Sequence, residues 1–203
     1  MSPAAFPIAS PAPAAPPAAK PVPLFELATQ WQLIKNDVEA ALKDPDADIR
    51  ITGLRIAREL GLDLIPYVKM LVADASAQVR RECAIALRHN ESPAAPKLWA
   101  ALAQQHDGKD RWYLEALGLA MDKQDDKFFD AWLAEVGQGW NTLAGRDIVW
   151  RSRASKAPAL VVKILSDKHT TAQEKDHFLR SLDFIDGPEK EAALVEISTS
   201  LLN

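Results

Sequence analysis

The chain has 203 residues, 48% of them hydrophobic, and a formal net charge of −4. That length allows one large domain or a short array with a substantial core, and the mildly acidic balance argues against wrapping nucleic acid, which calls for a basic stripe. A single cysteine, Cys83, excludes an internal disulfide framework and every CxxC metal or CxxCH haem motif, and no apolar run approaches the roughly 18 residues of a transmembrane helix.

Residues 1–23, MSPAAFPIASPAPAAPPAAKPVP, hold most of the chain's 14 prolines and almost no large apolar residue. They lack the charged opening of a signal peptide. The composition predicts a disordered or semi-extended linker with polyproline II character, an opening that fits a fragment of a longer chain. From residue 24 the composition changes. Alanine and leucine dominate, β-branched residues are scarce, and short amphipathic segments are divided by Asp, Pro, Gly and Asn. No run of period two appears, so residues 24–203 are predicted to form an all-α domain.

Sliding residues 38–60 over 68–90 aligns them without a gap at an offset of thirty, with Asp44 over Asp74 and Arg50 over Arg80. Such self-similarity marks a stacked array of helix pairs, each unable to bury its own apolar face. In the first unit Ile49, Gly53, Ile56, Ala57 and Leu60 fall on one helical face, and in the second Val79, Cys83, Ala86 and Leu87 do. Both sets are predicted to be buried, with the small residues at 53 and 83 letting helices approach closely.

The stretch HDGKDRWYLEALGLA (106–120) occupies the corresponding turn and second helix of a third unit. Asp107 and Gly108 make the turn, Asp110 opens the helix, and Arg111 lies thirty-one residues after Arg80. Leu114, Leu117 and Met121 are predicted to continue the apolar face. His106, placed before the turn, is predicted to face solvent and to be dispensable. Beyond residue 122 the repeat weakens while helices continue: one over 125–136 with Phe128, Trp132 and Val136 on a face, a loop or a broken turn at 138–145, and two helices within 147–167 divided near Ser155–Pro158. A threonine-capped helix follows at 170–185, and after Gly187-Pro188 a last one.

Cys83, His89, His106, His169 and His177 form no HExxH or HxH arrangement, and there is no glycine-rich phosphate loop and no GxSxG. No cofactor, metal or catalytic residue is predicted. The candidates for an interaction surface are Arg111, Trp112, Trp150, Arg151 and Arg153, since tryptophan and arginine dominate binding hot spots. The competing explanation is that the tryptophans are packing residues of an irregular array.

The array resembles HEAT repeats. The resemblance is carried by the aspartate before each turn and the arginine opening the second helix, Asp44 with Arg50 and Asp74 with Arg80, over residues 38–121. It implies a right-handed α-solenoid with an Asp–Arg ladder between units, to which Asp107 would add the next aspartate. A longer resemblance covers about 35–200. In order, GKDRWYLEALGLA, FFDAWLAEVG, DIVWRSRASKA, and RSLDF with GPEKEAAL look like the helical scaffold region of planctomycete and verrucomicrobial membrane-bound dehydrogenase plus cytochrome c chains. There a sorbosone-dehydrogenase-like propeller precedes the helical region and a c-type cytochrome domain with CxxCH follows. This chain has neither, so what is implied is the scaffold alone, in contact with such flanking domains and in a periplasmic setting. The resulting expectation is a noncatalytic scaffold for protein–protein or interdomain contacts, with no nucleic-acid partner and no membrane span. Two alternatives stand beside it: a HEAT-like DNA glycosylase gripping DNA through Trp, Asp and Arg, and a free-standing protein-interaction adaptor.

Overall fold

A computed structural model describes residues 24–201, and the linker predicted at 1–23 lies outside them. The chain is all-α: the described residues form eleven α-helices and two 3-10 turns, with no strand among them. Contacts divide the chain at Ile34–Lys35, inside α1 (Leu24–Ala41), and the unit that runs from Lys35 to Asn203 holds the hydrophobic core.

Within that unit the helices start in two alternating ways. α2 (Ala47–Glu59), α4 (Ala77–Ala86), α6 (Arg111–Ala120), α8 (Leu143–Arg151) and α10 (Ala172–Ser181) each follow a residue whose side chain accepts from a first-turn amide: Asp46, Ser76, Asp110, Thr142 and Thr171. These oxygens satisfy amides that have no partner inside the helix. At Thr171 the cap is reciprocal, with Glu174 returning to the threonine amide. By contrast α3 (Ile65–Leu71), α5 (Ala95–Ala103) and α9 (Ala157–Ser166) have no side-chain cap and carry Pro66, Pro96 and Pro158 in the first turn, and Pro188 opens α11 (Pro188–Leu201). Proline removes an amide that would be orphaned there and presets the helical φ. Pro66 and Pro96 stand thirty residues apart, as do Pro158 and Pro188. α7 (Asp125–Val136) departs from both patterns and relies on Asp125 and Asp126 in its first turn, where negative charge favours the helix dipole.

The even-numbered helices pack in chain order, α2 on α4, α4 on α6, α6 on α8 and α8 on α10, while α3 packs on α5, α5 on α7 and α9 on α11. Two aromatic side chains tie α5 to α6. The Trp99 indole N–H donates to the Leu117 carbonyl at 3.0 Å, and the Tyr113 hydroxyl donates to that of Leu102 at 3.0 Å. Both acceptors lie in the last turn of a helix, where carbonyls lack intrahelical partners.

Burial follows the predicted faces in α4, where Val79, Cys83, Ala86 and Leu87 are all buried, and in α6, where Leu114, Leu117 and Met121 are. α2 departs from the prediction. Gly53 and Ala57 are buried, but Ile49 and Ile56 are 43% and 44% exposed and Leu54 takes their place in the core. α4 lies between two even-numbered helices, whereas α2 packs against α4 alone among them, which leaves its other flank uncovered. Gly53 does permit a close approach, since a Cβ there would stand 3.0 Å from that of Ala41. In the segment 138–145 the structure has the turn, the 3-10 turn Gly137–Trp140, and α8 begins inside the segment at Leu143, capped by Thr142. Gly145 is required there, because a Cβ would fall 1.9 Å from the Trp140 carbonyl oxygen.

The turns that leave α2, α4 and α6 each hold one residue at positive φ, namely Gly61, His89 and Lys123, at 65°, 58° and 63°. Only glycine adopts that conformation without steric penalty. Lys123→Gly is therefore expected to raise the unfolding free energy by up to about 1 kcal/mol, whereas Leu117→Ala should lower it by about 2–5 kcal/mol. Urea unfolding of the two variants checks both signs.

Candidate functional site

Arg50, Arg80 and Arg146 are each the fourth residue of their helix, in α2, α4 and α8. Arg50 donates to both oxygens of Asp74, Nε to Oδ2 and Nη2 to Oδ1, each at 2.8 Å. Its Nη1 reaches the carbonyls of Asp44 and Pro45 at 2.7 and 3.0 Å. Such a bidentate pair fixes both planes. Burial alone would push the Asp74 carboxyl up. The hydrogen bonds from Arg50 and the Ser76 amide, with the charges of Arg50 and Arg80, hold it below the usual carboxylate range.

The ladder does not continue as predicted. Arg80 donates to the carbonyls of Asp74 and Ala75 at 2.6 and 3.1 Å and lies 5.6 Å over the Tyr113 ring. Asp107 instead accepts from the amides of Lys109 and Asp110 at 2.9 and 3.1 Å. α5 and the turn after it are together four residues longer than α3 and its turn, with the cap Asp110 fourteen residues after Pro96 while Ser76 lies ten after Pro66. Arg111 is consequently the first residue of α6, and the ladder position falls on the buried Leu114. A further rung that the sequence reading missed stands in α8. Arg146 Nη2 is 2.5 Å from Asp167 Oδ2, its Nε donates to Asn141 and its Nη1 to Thr170. Like Asp74, Asp167 also accepts the amide two residues on.

His106 does not face solvent. Its side chain is 1% exposed, Nε2 lies 3.1 Å from Asp147 Oδ2, and the ring stacks on Tyr113 with centroids 6.1 Å apart. The backbone after α5 winds on, with the His106 amide bonded to the Ala103 carbonyl, and this carries the ring inward beside α6 and α8. The cleft at this position, about 190 Å³, is lined by His106, Asp147, Arg111, Trp150 and His177 among others. His106→Ala is thus expected to lower the melting temperature by several degrees, since it removes a buried ring and leaves Asp147 without its partner. Thermal unfolding of that variant beside wild type measures the effect.

The five interaction candidates divide into three groups. Arg111, Trp150 and Arg151 come together around Glu115, a residue that sequence reading did not single out. Arg111 Nε donates to Glu115 Oε1 at 2.7 Å and Arg151 Nε to Oε2 at 2.9 Å. Burial alone would raise the Glu115 carboxyl, but these two arginines hold it low. Arg151 can cross to α6 because Gly118 offers no side chain; a Cβ there would stand 2.3 Å from the guanidinium carbon. The Arg111 guanidinium also lies 5.2 Å over the Trp150 ring, and His177 from α10 stacks on that ring at 4.6 Å. Arg153 turns elsewhere. It donates to the carbonyls of Trp150 and Ser152 and lies 4.8 Å over Phe184, and burial pushes its pKa down. Trp112 makes up the third group. It is 72% exposed and stands in a groove of about 430 Å³ lined by α2, α4 and α6.

On α4 that groove holds a second missed carboxylate. Glu82 is buried, with Arg55 Nε on Oε2 and Arg58 Nη1 on Oε1, both at 2.9 Å. It is spent on the same two-arginine arrangement as Glu115. Of the remaining tryptophans, Trp99 and Trp132 are fully buried and Trp140 nearly so, while Trp31 in α1 is exposed. Cys83 is also buried, which pushes its thiol up to about 12, so the reactive thiolate is suppressed. Among the described residues no group of three or more His, Cys, Asp or Glu side chains could hold a metal ion, and no helix is long and apolar enough to cross a membrane.

Because Asp74 titrates lower in the folded chain than in the unfolded one, its ionised form contributes stability that is complete above the unfolded carboxylate range and is lost as pH falls through the folded value. Asp74→Asn should therefore be less stable than wild type at neutral pH, with the gap narrowing below about pH 4. Chemical unfolding at a series of pH values is the check, and a gap that stays constant into acid would rule out this origin. Comparison with protein-family models, curated proteins and solved structures gives no match.

Proposed function

We propose that the chain is a noncatalytic helical-repeat scaffold: a right-handed, HEAT-like solenoid whose even-numbered helices present a face to another protein or to flanking domains. The repeat reading is supported by the alternation of capped and proline-led helix starts, by the thirty-residue spacing of the prolines, and by arginine at the fourth position of α2, α4 and α8. The observation that carries the function is Trp112. A large aromatic side chain left 72% exposed beside a groove is costly in water, and such a residue serves as an anchor when a partner covers it. The resemblance of the chain to the scaffold region of dehydrogenase–cytochrome chains supplies the kind of partner: a propeller dehydrogenase and a c-type cytochrome domain, in a periplasmic setting.

A DNA-gripping role is disfavoured by charge placement. Arg111 and Arg151 share Glu115, Arg55 and Arg58 share Glu82, and Arg81 faces Asp110, so these guanidinium groups of α2, α4, α6 and α8 already have carboxylate partners. Phosphate binding relies on cations whose counterions are released. The chain is expected to pass through a heparin column at low salt.

The test is co-elution. The full chain, expressed with a propeller dehydrogenase and a CxxCH cytochrome encoded beside it, should elute with them on size exclusion, and Trp112→Glu should release it while its circular dichroism stays unchanged. Independent elution of the wild-type chain, or an activity of the chain alone that a point variant abolishes, would overturn the scaffold reading.

A further inference from the structure

α1 is a single helix from Leu24 to Ala41, and the division of the chain falls inside it, at Ile34–Lys35. In the core-bearing unit Val38 is buried. In the first unit Glu26 and every residue from Ala28 to Ile34 are exposed, with Trp31, Leu33 and Ile34 at 41%, 58% and 37%. A helical segment this short is marginal in water and is stabilised chiefly by packing an apolar face. The sequence shows which face that is. Leu24, Leu27, Trp31, Ile34 and Val38 follow one another at spacings of three, four, three and four, the heptad spacing at which two like helices interlock along a seam. Leu33 is one residue from Ile34 and so stands about 100° around the helix from it, off the seam.

The flanks of the seam decide what can lie against it. They are Ala28, beside Leu27, and Gln30, beside Trp31. Pairing two copies of one helix brings its own flanking positions together, where charges of one sign would repel. Ala28 and Gln30 carry none, and Glu26 is the one charged residue of 24–34. With no lysine or arginine there, the segment also lacks the basic face by which an interfacial helix holds anionic lipid.

We propose that the first half of α1 is a self-association surface, occupied by the same segment of a second copy of this chain packed along the Trp31–Ile34 seam. From Leu24 to Val38 the seam is two heptads long, so the interface belongs to the small, weakly associating class and the dimer forms and dissociates with concentration. The inference goes beyond the scaffold reading and does not depend on it. A scaffold paired in this way presents each of its docking surfaces twice, which raises its avidity for a partner that is itself multivalent.

The test is sedimentation velocity of the full chain from about 1 μM to about 1 mM, the range over which weak interfaces dissociate. The wild-type chain should shift from monomer to dimer across that range. Trp31→Glu and Ile34→Glu should each weaken dimerisation by about tenfold or more, while Leu33→Glu should leave it unchanged. Glutamate is a good helix former, so the helix itself is retained in all three variants, and their thermal unfolding should match wild type because the replaced side chains are exposed. Flotation with vesicles of phosphatidylcholine and phosphatidylglycerol should leave the chain unbound. The proposal is overturned if the wild-type chain stays monomeric throughout, if the dimer ignores Trp31→Glu and Ile34→Glu, if Leu33→Glu weakens it as much as they do, or if the chain floats with the vesicles and Ile34→Glu releases it. A monomeric chain that still co-elutes with the dehydrogenase and cytochrome would remove the self-association and leave the scaffold reading standing.

Discussion

The structure depends on a constraint that no single helix pair can meet. Each short helix carries apolar residues over more of its surface than one neighbour can cover, so burial is complete only where a helix lies between others. α4 shows the satisfied case, with Val79, Cys83, Ala84 and Ala86 removed from water, and α2 the unsatisfied one, with Ile49 and Ile56 open. Hydrophobic burial at about 25 cal/mol per Å² makes the covered arrangement the stable one. The polar devices then fix how the pairs follow one another. Side-chain caps and prolines settle the amides at the helix starts, and Trp99 and Tyr113 settle carbonyls at the helix ends.

How far the sequence could be read follows from which signals are local. Helix type, the alternation of short helices, and the helix starts at Asp110 and at the threonine pair 170–171 are local, and they were legible. The thirty-residue offset was legible between α2 and α4 because the turns there have equal length. In the third unit α5 and the turn after it are each two residues longer, and counting thirty-one residues from Arg80 landed on Arg111 instead of Leu114. The same slip hid Arg146, whose place in the ladder is plain once counted from its own cap, Thr142. Counting from caps and prolines, which mark physical helix starts, would have kept the register where counting from arginine to arginine did not.

The candidate site was half legible. Trp112 and the arginines near it were visible as residue types that build interfaces, but their grouping was not. Glu115 and Glu82 looked like ordinary helix-surface glutamates, since nothing in RWYLEAL or RRECAIAL tells that two arginines from different turns or helices converge on each. His106 was misjudged for a related reason. A histidine among Asp, Gly and Lys has the neighbours of a solvent-facing turn, and only the fold brings Asp147 and Tyr113 to it from forty-one and seven residues away along the chain.

The close approach at Gly145 has a consequence for tracing descent. Its Cα sits so near the Trp140 carbonyl that glycine alone can occupy it, while Thr142 must provide both the cap and an amide bonded to that same carbonyl. Because the carbonyl at 140 is main chain and any residue supplies it, the signature that backbone geometry writes is a capping side chain at 142 and a glycine three positions further. In chains that have diverged until their helix surfaces share nothing, this spacing would still mark the corner where the 3-10 turn hands over to α8, and would align them where overall similarity no longer can.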